Sequence, residues 1–314
     1  MLNRKSVGTK VFDSKRFQSV EYIDKGWSKD RKYCVTENDG TKYLLRISSI
    51  ERYSARKELY EMLKRTEQLG VPMCKPIDFG TCEDSSIFKS GVYILQSWVD
   101  GDDLEMVLPT FSEEEQYSLG HQAGNILRKI HTIPAPKSQE EWAVRFNKKI
   151  DDRIKIYKNC GLQFNGDNYV LDYIEQCRHL LANRPQCFQH GDYHTGNIML
   201  ENGKLTIIDF DRNDFGDPWE EFNRTVFSAK ISPFFASGQI HGYFYDSPIH
   251  GADPPAGFFE LVTLYISFNV LAAIPWAIPY GQADVDIMME QTQDVLKWYN
   301  NMHNCIPSWY VRHT

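Results

Sequence analysis

The sequence predicts an α+β chain in two parts. The first hundred residues read as an antiparallel β-sheet with one helix, and the larger remainder reads as mostly helical. Three observations predict it. Between Tyr22 and Trp98, short strand-like runs are separated by turn residues, with one amphipathic stretch among them. Beyond Asp100 the pattern turns helical, with cap and stop signals flanking longer periodic runs. The 314 residues, 42% hydrophobic and 25% charged, suffice for two cored units of ordinary globular composition. The boundary falls after Trp98, giving parts 1–98 and 99–314.

Residues 1–20 are polar and carry little pattern. Strand character begins at Tyr22, and Gly26-Trp27-Ser28-Lys29-Asp30-Arg31 is a loop. Lys32 to Glu37 and Lys42 to Ile47 are strands joined by the turn Asn38-Asp39-Gly40. Tyr53 to Leu69 has the spacing of an amphipathic helix stopped by Gly70. Lys75 to Gly80 and Val92 to Trp98 complete the strands. In the second part, Ser112 and Glu115 make a capping box for a helix running to about His131, which Ile133-Pro134-Ala135-Pro136 stops. Trp142 to Tyr157, Asn168 to Leu181, Phe258 to Ala277 and Val285 to Met302 are further helices. Ser232 to Gly257, rich in Gly, Pro, His and aromatics, reads as irregular; Gln239, His241, Tyr243 and Tyr245 either line a pocket or pack a loop. Asp217 reads as the cap of a helix with Pro218 at its first position.

The most informative stretch is His190-Gly191-Asp192-Tyr193-His194-Thr195-Gly196-Asn197. Ile198 to Glu201, the turn pair Asn202-Gly203 and Leu205 to Ile208 form a hairpin, and Asp209 follows it. A hairpin returns its second strand beside its first, so Asn197 and Asp209 belong near one end. Phosphoryl transfer needs such a set. Hard oxygen ligands hold a divalent metal on phosphate oxygens, and a separate carboxylate accepts the proton of an attacking hydroxyl. Asp192 and Asn197 have the spacing of the kinase catalytic loop, and Asp209 opens Asp-Phe-Asp where a protein kinase has Asp-Phe-Gly.

HGDYHTGNI followed by IIDFDRNDFGDP resembles the aminoglycoside phosphotransferase family of small-molecule kinases, from about Tyr22 to the C-terminal helices. The resemblance implies a two-lobed protein-kinase-like fold. It implies Asp192 as base, with His190 bracing its loop, and Asn197 and Asp209 as Mg²⁺ ligands. ATP or GTP is the implied phosphate donor, held by Ser28, by Arg46 where the family has lysine, and by the hinge at Gln96 and Trp98. Glu58 is the implied partner of Arg46. Arginine keeps the charge but is longer and planar, so that change alters the phosphate geometry. Nothing after Asp209 is long enough for a protein-kinase activation loop.

The acceptor is then a hydroxylated small molecule, an aminoglycoside-type antibiotic among the options, with Asp214, Glu220 and Glu221 as candidate contacts for its ammonium groups. Choline, homoserine or a sugar is the metabolic alternative, and a nucleotide-binding pseudokinase is the non-enzymatic one. A formal net charge of −7 argues against nucleic-acid partners. Seven cysteines without a C-x-x-C pair fit reduced thiols in the cytoplasm. The apolar run Leu261 to Pro279 carries Thr263, Ser267, Asn269 and Pro275, which favours a buried helix over a membrane span.

Overall fold

The structure, a computed structural model, describes residues 16–24, 29–84, 88–245 and 254–312. Its chain divides into two compact units, Met1–Gly101 with Met199–Ile208, and Asp102–Ile198 with Asp209–Thr314.

The first unit is built on β1 (Phe17–Ile23), β2 (Arg31–Glu37), β3 (Lys42–Ser48), β4 (Pro76–Cys82) and β5 (Gly91–Ser97), in the order β1-β2-β3-β5-β4, with every neighbour antiparallel. Side chains alternate across a strand. Leu45 and Ile47 therefore join Tyr33, Val35, Phe88, Tyr93 and Leu95 in one core cluster, while Arg46 and Ser48 take the opposite face. β1 begins five residues before the predicted onset; it is an edge strand whose side chains are all at least partly exposed, so its apolar pattern is weak. Helix α1 (Tyr53–Gln68) packs on β4 and β5 through a buried stripe of Arg56, Leu59, Leu63 and Thr66.

The second unit opens with the two-residue strand β6 (Asp102–Asp103) and the short helix α2 (Leu104–Val107). Then come α3 (Glu113–Ile130), α4 (Trp142–Asn159), α5 (Asp167–Cys177) and β7 (Cys187–Gln189). The Ser112/Glu115 capping box is formed as predicted. β8 (Ile198–Glu201) and β9 (Lys204–Ile207) are the predicted hairpin, with Asn202 and Gly203 at φ +51° and +74°, as a type I′ turn requires. From Met199 to Ile208 this hairpin belongs to the first unit, where backbone hydrogen bonds join Ile207 to Pro72 and Cys74. β10 (Asp214–Gly216) pairs antiparallel with β7.

Beyond it lie α6 (Thr225–Ile231), α7 (Pro233–Phe244), α8 (Phe258–Ala277) and α9 (Gln282–Trp298). α7 corrects the expectation of irregular chain over 232–257. Ser232 caps it by accepting the Phe235 N–H. Its Gly238 and Gly242 meet Gly120 and Gly124 of α3, and a Cβ at any of the four would overlap backbone of the facing helix. These glycines allow close backbone approach and do not mark a turn. Gln239, His241 and Tyr243 are accordingly packed: His241 bonds Tyr117 and Tyr310, and Tyr243 bonds His131. His250 lies outside the described residues. α8 spans the residues predicted for it and is, among the described residues, the one helix long and apolar enough to cross a membrane. Most of its apolar window is buried, against α4, α5 and α9 among others.

Candidate active site

Candidate functional residues fall in both units, one set in each. In the second, β7 delivers the chain into His190. Glu221, buried, accepts the His190 N–H at 2.6 Å and the Gly191 N–H at 2.8 Å. His190 Nδ1 accepts the Asp192 N–H at 3.2 Å, which puts the neutral ring's proton on Nε2. Gly191 sits at φ +84° with its Cα against the Arg212 carbonyl, so no side chain fits there. Further along, the Tyr193 hydroxyl donates to the Ala123 carbonyl and the Thr195 N–H to Ser228 Oγ. The loop is thus fixed from both sides of Asp192.

Arg224 Nε lies 3.1 Å from Asp192 Oδ1, and Arg212 Nε lies 3.6 Å from Oδ2. Burial pushes the Asp192 carboxyl up, but Arg224 and the other cations outweigh it and hold it below the usual carboxylate value. Burial pushes His194 down to about 4, against the pull of Asp192. Its Nδ1 accepts the Gly196 N–H, so the neutral ring carries its proton on Nε2, 3.7 Å from Asp192 Oδ1. That approach is a polar contact and not an ion pair at neutral pH.

Asn197 Nδ2 donates to the Asp192 carbonyl at 2.9 Å, which leaves the amide oxygen as its ligand atom. Asp209, after the hairpin, sits at φ +61°. A left-handed non-glycine residue is uncommon and tends to mark a functional position.

The three acids expected to meet a substrate ammonium group each have protein partners. Asp214 takes two hydrogen bonds from Arg145 Nη2, at 3.0 and 2.9 Å, and one from Lys149 at 3.2 Å. Glu221 caps the His190 loop. Glu220 accepts from Gln189 and Asn223, and burial pushes its carboxyl up to about 7. The expected helix with Pro218 at its first position and Asp217 as its cap is not formed: Pro218 and Trp219 make a turn, and a 3₁₀ helix over Glu220–Arg224 follows with Trp219 at its N-cap. Asp217 accepts the Trp219 N–H, binds the Arg184 guanidinium through both oxygens and accepts the Tyr265 hydroxyl.

In the first unit, Arg46 Nη2 lies 3.7 Å from Asp30 Oδ2. Asp30, its side chain only 2% exposed, also binds Arg56, Arg52 Nη1 at 3.1 Å and the Ser48 hydroxyl at 2.7 Å. Ser48 in turn accepts Arg56 Nε at 2.7 Å. Glu58 is exposed, so its expected pair with Arg46 is not formed. Two positions past Arg56, Glu58 is turned about 200° around the helix, away from the buried stripe. Gln96 is buried in β5, and half-buried Trp98 donates Nε1 to Asp100. Ser28 lies outside the described residues.

A family model described as "Phosphotransferase enzyme family" (APH) matches residues 19–256. The chain belongs to this family. Amicoumacin kinase of Bacillus subtilis (strain 168) is 25% identical over 240 residues, 67% of this chain and 66% of that protein. The chain therefore spans just under two thirds of the length of that curated relative. Among solved structures, amicoumacin kinase hAmiN in complex with AMP-PNP, Ca²⁺ and Ami matches at TM-score 0.64 and 14% identity, covering 95% of this chain and 92% of that one. A choline/ethanolamine kinase family protein from Mesorhizobium loti matches at 0.61 and 18%, covering 93% and 92%. These likenesses show the fold, the kinase-like α+β fold of the aminoglycoside phosphotransferases.

Asn197 and Asp209 carry an amide oxygen and a carboxylate, oxygen donors of the kind that suit a hard divalent cation. Among the described residues no group of three or more His, Cys, Asp or Glu side chains could hold a metal ion by itself. Sequence reasoning missed Asp30, Arg56, Arg212 and Arg224. Arg56 had a signal, since it falls in register with Leu59 and Leu63 on the buried stripe of α1.

Proposed function

We propose that the chain transfers the terminal phosphoryl group of ATP or GTP to a hydroxyl of a small molecule, in the cytoplasm. The observation that carries this reading is Asp192. Its carboxylate is held ionised beside Arg224, on a loop that also fixes the Asn197 amide. Asp192 orients the acceptor hydroxyl and takes its proton. The acceptor oxygen bonds to the terminal phosphorus, the bond to the bridging oxygen breaks, and the nucleoside diphosphate leaves with the electron pair. Asn197 and Asp209 would hold Mg²⁺, which would supply neutralisation of phosphate charge. Arg46, positioned by Asp30, steadies the phosphates of the donor.

The test is Mg²⁺-dependent transfer from ATP and GTP across aminoglycosides, macrolides, amino-alcohols, hydroxy acids and sugars, with Asp192→Asn beside the wild type. Loss of the general base is expected to lower kcat by roughly 10²–10⁴-fold. Transfer that survives in the variant would overturn the assignment of the base. Nucleotide binding without transfer to any acceptor would favour a binding module.

A further inference from the structure

The surroundings of Asp192 are cationic. Two guanidiniums, Arg212 and Arg224, face its one carboxylate. The acids Asp214, Glu220 and Glu221 are engaged by protein donors. Both arginines also border the same stripe of α8. Arg224 Nη1 donates to Asn269 at 3.4 Å, and the Arg212 guanidinium lies 6.0 Å over the Trp276 ring. Asn269, Ala273 and Trp276 are spaced i, i+4, i+7, one face of the helix.

Asn269, Val270 and Ala273 of α8 also line a shallow recess, partly open to solvent, with enclosed room for only about one water molecule. Phe227, Val270, Ala273 and Met288 make its walls apolar, with Asn269 and Thr292 as polar points. A polycation would meet two like charges here. An acid gains the arginine fork, whose planar donors match a carboxylate.

Resting on the phosphotransferase reading, we infer that the acceptor is a hydroxylated carboxylic acid. Its hydroxyl faces Asp192 and its carboxylate is held by Arg212 and Arg224. Arg212 and Arg224 are then the residues that select an acid over an amine.

The test is equilibrium binding, which needs no turnover. Branched 2-, 3- and 4-hydroxy acids of four to eight carbons, their primary amides and the corresponding amino-alcohols are titrated into the full chain by calorimetry. The wild type, Arg212→Gln and Arg212→Lys are compared, with melting temperature confirming that the variants fold. At least one acid is expected to bind about tenfold or more tighter than its amide and amino-alcohol. That preference is expected to collapse in Arg212→Gln and to survive in part in Arg212→Lys.

Equal binding of acid and amide, tighter binding of the amino-alcohols, no binding of any acid, or an acid preference unchanged in Arg212→Gln each overturns the inference. An Arg212→Gln effect on ATP affinity with acid affinity unchanged would assign the fork to donor phosphate and likewise overturn it. Failure of the kinase reading shows separately, as absent nucleotide binding or absent Asp192-dependent transfer.

Discussion

Asp30→Ala is the sharpest perturbation of the first unit. Asp30 is the carboxylate shared by Arg46, Arg52, Arg56 and Ser48, and the side chains of Asp30 and Arg56 are 2% and 4% exposed. Arg52 is 45% exposed, so its pair contributes little. Removing one partner of a buried pair leaves charge in the interior and is destabilising by about 3–5 kcal/mol. At roughly 2–8 °C per kcal/mol, a fall of about 6 °C or more in the transition of the first unit is expected.

The same substitution releases Arg46, so the Kd for ATP is expected to rise. The control is Asp30→Ala combined with Arg56→Met, because replacing a buried pair by apolar groups is often neutral. The double variant is expected to regain part of the stability, since the buried Arg46 has still lost Asp30, and none of the ATP affinity. Far-UV circular dichroism on heating gives the first quantity and calorimetric ATP titration the second. A loss below about 1 kcal/mol, or no recovery on adding Arg56→Met, would refute the reasoning.

Two further outcomes follow from packing and charge. Gly242→Ala raises intrinsic helix propensity by roughly 0.8–1 kcal/mol, yet its Cβ would overlap the His121 carbonyl of α3. A net loss of about 1–3 kcal/mol in urea unfolding is expected, since a rigid backbone neighbour must move. For Glu220, the folded carboxyl titrates near 7 against an ordinary 4.5, so the folded state binds its proton more tightly. Its contribution to stability is full below about pH 4.5 and is lost as pH rises through about 7. Glu220→Gln imitates the protonated form, so it is expected to stabilise at pH 8 by at most about 3 kcal/mol and to be near neutral at pH 5, read from unfolding at the two pH values.

Legibility followed the range of the interactions. The β8–β9 turn could be read because Asn202-Gly203 satisfies its own backbone requirement, and α8 because an apolar run of that length has few other outcomes. α7 could not be, since the glycines that read as loop in isolation are explained only by Gly120 and Gly124, more than a hundred residues earlier. Glu58 failed for a related reason. A charge three residues from Glu61 says which faces are neighbours, but only the Arg56-Leu59-Leu63 stripe says which face is inside. The acids Glu220 and Glu221 were visible as residues, while their donors, Gln189 and the His190–Gly191 amides, come from thirty residues upstream.

The same distinction bears on charge in the two units. A carboxylate near a candidate site attracts a cation only if its lone pairs are not already taken, and each of Asp214, Glu220 and Glu221 accepts at least two protein hydrogen bonds. Guanidiniums are harder to saturate, having five donors in a planar fork. Asp30 is shared among Arg46, Arg52 and Arg56, and Asp192 between Arg212 and Arg224, so in each unit several guanidiniums gather on one carboxylate. On the proposed function, Arg46 meets donor phosphate, and Arg212 with Arg224 meets the acceptor's carboxylate. A net charge of −7 conceals this, because counting residues over the chain averages acids held in internal pairs with arginines gathered where ligand oxygens would bind.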